Sequence, residues 1–228
     1  MPYFFWDSTM ILLIPAIILS LYANVKVKST FSRFSKVLSR RRLNGAEVAE
    51  YILQRNNLSD VSIEETEGNL TDHYDPRKRI LRLSRENYRG NSLASLGVAA
   101  HEACHAIQHG TGYAFLQLRN TIVPVANLGS NLAWPLLIIG FLFSIPSFVD
   151  IGIIFFSGAV FFTLVTLPVE FNASKRALVE LERGGFLEKD EIIGAKKVLD
   201  AAALTYVAAA AVAVLQLLRL LLLRSSRD

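Results

Sequence analysis

Four long apolar runs leave this chain of 228 residues few folds to choose from. They cover residues 4–23, 121–143, 148–168 and 201–223. About 20 apolar residues in a helix match the hydrocarbon thickness of a bilayer, so each run is long enough to span one. A hydrophobic content of 52% and a mean hydropathy of +0.35 agree with an α-helical integral membrane protein. The net charge of +4 gives no sign of a nucleic-acid partner. One cysteine, Cys104, excludes an internal disulfide. No internal repeat is present.

Charge orders the runs across the membrane. The first is broken only by Asp7, Ser8 and Thr9. It lacks a preceding basic region and a small-residue cleavage site, so it reads as an anchor (residues 1–23) rather than a cleaved signal. After it come Lys26, Lys28, Arg33, Lys36, Arg40, Arg41 and Arg42 with no acid among them. The positive-inside rule then puts the N-terminus outside and the next segment in the cytoplasm. In residues 24–43 those cations alternate with Val27, Phe31, Phe34, Val37 and Leu38. This is the pattern of a basic amphipathic helix on anionic headgroups, or of a solvated helix continuing the anchor. Residues 144–147 alone separate the second and third runs, so 121–168 predicts a hairpin. Its tip has no Lys or Arg and belongs outside. Residues 201–228 predict a fourth span and tail, or a helix packed on the bundle. A span would place Arg224 and Arg227 outside, against the usual bias.

Between these runs the patterning is that of a folded core, residues 44–120. After Asn44-Gly45 a helical period runs to about Asn56. Residues 60–84 alternate like strands around the turn Tyr74-Asp75-Pro76-Arg77-Lys78, predicting a small antiparallel β-sheet. Next comes SLASLGVAAHEACHAIQ, residues 92–108, with Asn91 or Ser92 to cap a helix and Gly110 to end it.

On that helix His101 and His105 stand one turn apart on one face, where two imidazole nitrogens reach one ion. Glu102 lies beside them, placed to take a proton from an attacking water. Zinc takes neutral nitrogen ligands and keeps an open position in catalytic sites. Two histidines and a glutamate amid apolar residues are costly without a polar task. Three of the four histidines fall within 101–109.

A zinc site needs a third protein ligand. Glu170 follows the third run directly and opens EFNASKRALVELE, residues 170–182, within a segment (169–200) that would complete the core. Ala173, Ser174 and Ala177 share its face and permit close packing on the Ala-rich helix. The competitors are Glu180, Glu182, Asp150 and His109, the last rotated about 80° from His101.

HEACHAIQ, preceded by DHYDP and followed after the hairpin by LPVEFNASKRAL, resembles the bacterial membrane neutral zinc metallopeptidases called the YugP family. It is more distantly similar to HtpX-type membrane peptidases. The likeness runs from about residue 44 to 204. It implies a zincin-like metallopeptidase core between transmembrane helices, with Zn2+ as cofactor. The implied ligands are His101, His105 and Glu170, with Glu102 as base. Two departures stand out: Ser174 replaces an aspartate of the wider group, and Cys104 replaces a frequent glycine. His73, Tyr74 or Arg176 are candidates to stabilise an oxyanion, and the sheet edge could pair with an extended substrate.

The expected function is a multi-pass, zinc-dependent endopeptidase in the cell membrane. Its site would face the cytoplasm and take peptide or membrane-protein substrates, with the lipid bilayer as its surroundings. The rivals are a zinc-binding membrane scaffold without peptidase activity and a structural lipid-interaction protein. Glu102 argues against the first, since a scaffold needs no base beside its metal.

Overall fold

The computed structural model describes residues 8–68 and 71–226. Residues 4–7 of the first apolar run, and Arg227, lie outside the described residues. A 3-10 turn, Ser8–Leu13, leads into α1 (Ile14–Phe34). The order continues α2 (Gly45–Arg55), β1 (Ser62–Thr66), β2 (His73–Asp75), β3 (Ile80–Ser84) and the short α3 (Arg85–Arg89). The remaining helices are α4 (Leu93–Gly110), α5 (Ala114–Leu142), α6 (Pro146–Arg183) and α7 (Lys189–Ser225). Four helical segments, Ser8–Phe34, Ala114–Leu142, Pro146–Arg183 and Lys189–Ser225, are long and apolar enough to cross a membrane. The protein is an α-helical membrane protein with a small sheet.

The chain divides into two compact units. One takes the described residues up to Ala23, with Leu118–Pro168 and the described residues from Thr205 on. The other takes Asn24–Gln117 and Val169–Leu204.

In the first unit, Leu137, Phe141, Val149, Ile153 and Leu220 form a buried cluster. α5 and α6 are joined by a tight turn at 143–145. Ser144 turns the chain at φ 55°, and the Ile145 amide donates to the Gly140 carbonyl at 2.9 Å. A Cβ at Gly140 would stand 2.8 Å from the Val149 amide nitrogen, so the approach of the two helices there requires glycine. Arg224, near the end of α7, pairs with Asp150 near the start of α6 at 2.7 Å. This pairing offsets the cost of an arginine at the end of the unit that holds the Lys- and Arg-free hairpin turn.

The second unit is built on α4. Ser92 caps it by accepting from the Ser95 amide, and the chain just after α1 bridges to its start through Leu38 and Ser92. Asn44 and Glu47 form a reciprocal capping box that starts α2. Val48, Ala49, Ile52 and Leu53 of α2 pack in one buried core with Leu96, Ala99, Ala100 and Ala103 of α4. Ala173, Ala177 and Leu181 of α6 close the same core, the two alanines as their small size and spacing predict. A Cβ on Gly45 would fall 2.0 Å from the Asn87 carbonyl oxygen, a backbone atom that cannot swing aside. Gly45→Ala is therefore expected to destabilise this unit by about 1–3 kcal/mol, read as a lower thermal midpoint in detergent.

Two expectations are corrected. The helix that was to cover 24–43 ends at Phe34, and 35–43 is turn and bridge. The backbone of 37–39 bonds instead to the strand-like entry of α4: the Ser39 amide donates to Asn91 and the Leu93 amide to Val37, both at 2.9 Å. The sheet is mixed rather than wholly antiparallel, in the order β1-β3-β2. β2 and β3 are antiparallel, as the Pro76 turn predicts, but β1 pairs with β3 in parallel. The reason is topological: β2 carries the chain back along the far side of β3, so β3 runs in the direction of β1.

The polar patch around Asp72 holds this sheet to α3. Asp72 accepts from the Ser84 amide at 2.7 Å and from the Asn87 side chain at 2.9 Å. Asp75 accepts from the Arg77 and Lys78 amides in the turn, and those amides with nearby Lys78 and Arg82 hold its carboxyl below the usual range.

Candidate metal centre

Two adjacent helices supply the site. On α4, the spacing of His101 and His105 brings their rings to a centroid distance of 4.8 Å, nearly perpendicular. On α6, Glu170 is only 4% exposed, one turn before Ala173 and two before Ala177, whose small side chains let the helix close on α4. Its Oε2 lies 3.2 Å from His101 Nε2 and 3.6 Å from His105 Nε2. The two imidazole side chains are 13% and 12% exposed. Glu102 offers a carboxylate to the same cluster, with ligand atoms of His101, Glu102 and His105 all within 4.8 Å of one another.

Both carboxylates are therefore near the imidazoles, and geometry separates them. Bonds of about 2.0–2.2 Å in a tetrahedron place ligand atoms roughly 3.3 Å apart. The Glu170 distances bracket that value for both histidines at once. Glu102 is less buried than Glu170. The donor set of two nitrogens and one carboxylate oxygen fits zinc.

Electrostatics and the outer contacts fit as well. Burial opposes a charge on His105, while Glu170 and Glu102 favour one, and the balance lifts its pKa above the ordinary value. A divalent cation answers the same negative field. Each Nδ1 faces a partner on the far side: Ser174 Oγ at 3.2 Å from His101, and Gln108 Oε1 at 2.9 Å from His105. Outer contacts of this kind orient metal-bound imidazoles.

The other expected residues have different partners. His73 Nδ1 lies 2.8 Å from the Thr71 carbonyl, which accepts from it. The Tyr74 hydroxyl meets His109 Nδ1 at 2.9 Å, which engages the competing histidine. Arg176 stands over the Tyr113 ring at 5.9 Å. Asp150 is paired with Arg224. Cys104 is fully buried in the core, and burial pushes its thiol pKa up, so it is a packing residue rather than a metal-seeking thiolate. Sequence reading passed over Gln108. Its signal was position: three residues after His105, on the same helical face, in an otherwise apolar stretch.

These features define a membrane-embedded zinc metallopeptidase homologue, and the chain belongs to the family described as "Putative neutral zinc metallopeptidase", whose model matches residues 9–225. Zinc is its cofactor. The chain is 49% identical over 212 residues to "Putative membrane protease YugP" of Bacillus subtilis (strain 168), covering 93% of this chain and 94% of that protein. No solved structure matches it.

Proposed function

We propose that the protein is a multi-pass endopeptidase that hydrolyses peptide bonds at the cytoplasmic membrane face, with zinc held by His101, His105 and Glu170. The observation that carries this reading is the convergence of both Nε2 atoms on one Glu170 oxygen with a second carboxylate, Glu102, alongside. Zinc held by these residues would supply Lewis acidity to the scissile carbonyl and the attacking water. Glu102 takes the proton from the attacking water and delivers it to the leaving amine, so one carboxylate serves as base and then as acid. Glu170 is buried and committed to both imidazoles, which leaves it no part in proton transfer. His73, Tyr74 and Arg176 remain the candidates for steadying the oxyanion. Tyr74 would have to exchange its bond to His109 to do so.

Charge supports the orientation. The cations of residues 26–42 follow the first apolar segment, whereas the 143–145 turn carries none. Substrates are then membrane proteins or peptides leaving the bilayer. The topology is tested with single thiols in a Cys104→Ala background. Ser144→Cys should react with a membrane-impermeant maleimide in intact cells, and Ser59→Cys only after lysis; both positions are exposed. The inverse pattern would place the site outside.

A further inference from the structure

We infer that Gln108 is a positioning residue that fixes the tautomer of His105 and so aims its Nε2 lone pair at the metal. This rests on the zinc-site reading above and goes beyond its ligands and base. Gln108 is fully buried on α4, where a polar side chain is costly unless its hydrogen bonds are made. They are made in a way that leaves one orientation of the amide. Its Nε2 donates to the Val169 backbone carbonyl at 2.8 Å and to Asn172 Oδ1 at 2.9 Å. A backbone carbonyl only accepts, so the nitrogen must face Val169 and the oxygen must face His105. Oε1 then accepts from His105 Nδ1 across 2.9 Å.

An imidazole that donates from Nδ1 and is neutral keeps its free lone pair on Nε2. That is the nitrogen 3.6 Å from Glu170 Oε2. Val169 and Asn172 flank Glu170, with Val169 adjacent, so one side chain orients the second histidine and ties it to the helix that carries the carboxylate. His101 is held differently. Its Nδ1 faces the Ser174 hydroxyl at 3.2 Å, a group that can donate or accept and therefore imposes no tautomer. Of the two histidines, His105 has the partner that dictates its protonation pattern.

The bland alternative is that Gln108 only bridges α4 to α6. Two substitutions separate the two roles. Gln108→Glu keeps an acceptor at His105 but loses the donor and sets a carboxylate oxygen against the Val169 carbonyl. Gln108→Met has similar length and keeps neither. Zinc affinity is measured on the detergent-purified full chain by competition with a chromophoric chelator, and the visible spectrum of the cobalt-loaded protein is recorded beside it. The methionine variant should lose about 10–100-fold in zinc affinity and show an altered cobalt spectrum, while the glutamate variant stays within a few-fold of wild type. A loss in the glutamate variant as large as in the methionine variant, or larger, overturns the proposal, because a bridging role alone predicts that order. Unchanged affinity in both overturns it too, with the zinc site intact. Failure of wild type to bind zinc overturns the site reading and this inference together. If the methionine variant does not fold, the glutamate variant decides: retained affinity supports the inference and a tenfold loss overturns it.

Discussion

Glu102→Gln is expected to leave zinc bound at one per chain and to remove peptide cleavage, with a loss of about 10²–10⁴-fold from the missing base alone. The amide is nearly the same size as the carboxylate, so packing around the cluster is kept. It has no proton affinity in the useful range and cannot relay a proton from water to the leaving amine. Glu170 cannot take over that duty, since it is 4% exposed and already lies against both imidazoles. The check pairs metal analysis with cleavage of a broad peptide panel, wild type beside variant. Cleavage in both would remove Glu102 from the chemistry. Zinc in both and cleavage in neither would favour the scaffold alternative.

Much of this was legible because local chemistry carries local structure. Asn44 and Ser92 are short polar residues ahead of apolar periods, and each caps the helix it precedes. The hairpin was readable because only four residues interrupt two apolar runs. The place of Glu170 near the two histidines was readable because Ala173 and Ala177 mark a close-packing face on the same helix. Less was legible where the decisive partner is distant in sequence. The parallel pairing of Ser62–Thr66 with Ile80–Ser84 depends on which side of β3 the intervening strand takes, and alternation says nothing about that. α1 ends at Phe34 because the next residues bond to the entry of α4, more than 50 positions on, a competition no helical period reveals. Gln108 looked like one more polar residue in an apolar helix until Val169 and Asn172 came to stand beside it.

The same logic of distant partners makes Glu170→Gln the sharpest test of the metal set. The substitution removes one negative charge and almost no volume from a cluster that otherwise holds two imidazoles and Glu102. Apparent zinc-binding free energies of about 10–16 kcal/mol at structural sites, spread over four ligands, give roughly 2.5–4 kcal/mol for each. Losing one ligand should therefore weaken zinc binding by about 10²–10³-fold, enough for a chelator at modest excess to strip the variant but not wild type. Fold should survive, because an amide can still hydrogen-bond the Nε2 atoms that the carboxylate faces at 3.2 and 3.6 Å. Glu182→Gln, on the exposed face of the same helix, serves as the control and should change nothing. The contrast with Glu102→Gln is what gives the pair its force. Both glutamates bring a carboxylate near the same two histidines, yet one substitution should cost the metal and keep the fold, and the other should keep the metal and cost the reaction. If Glu170→Gln holds zinc as tightly as wild type, another carboxylate completes the site, and Glu102, within 4.8 Å of both imidazoles, becomes the ligand to test next.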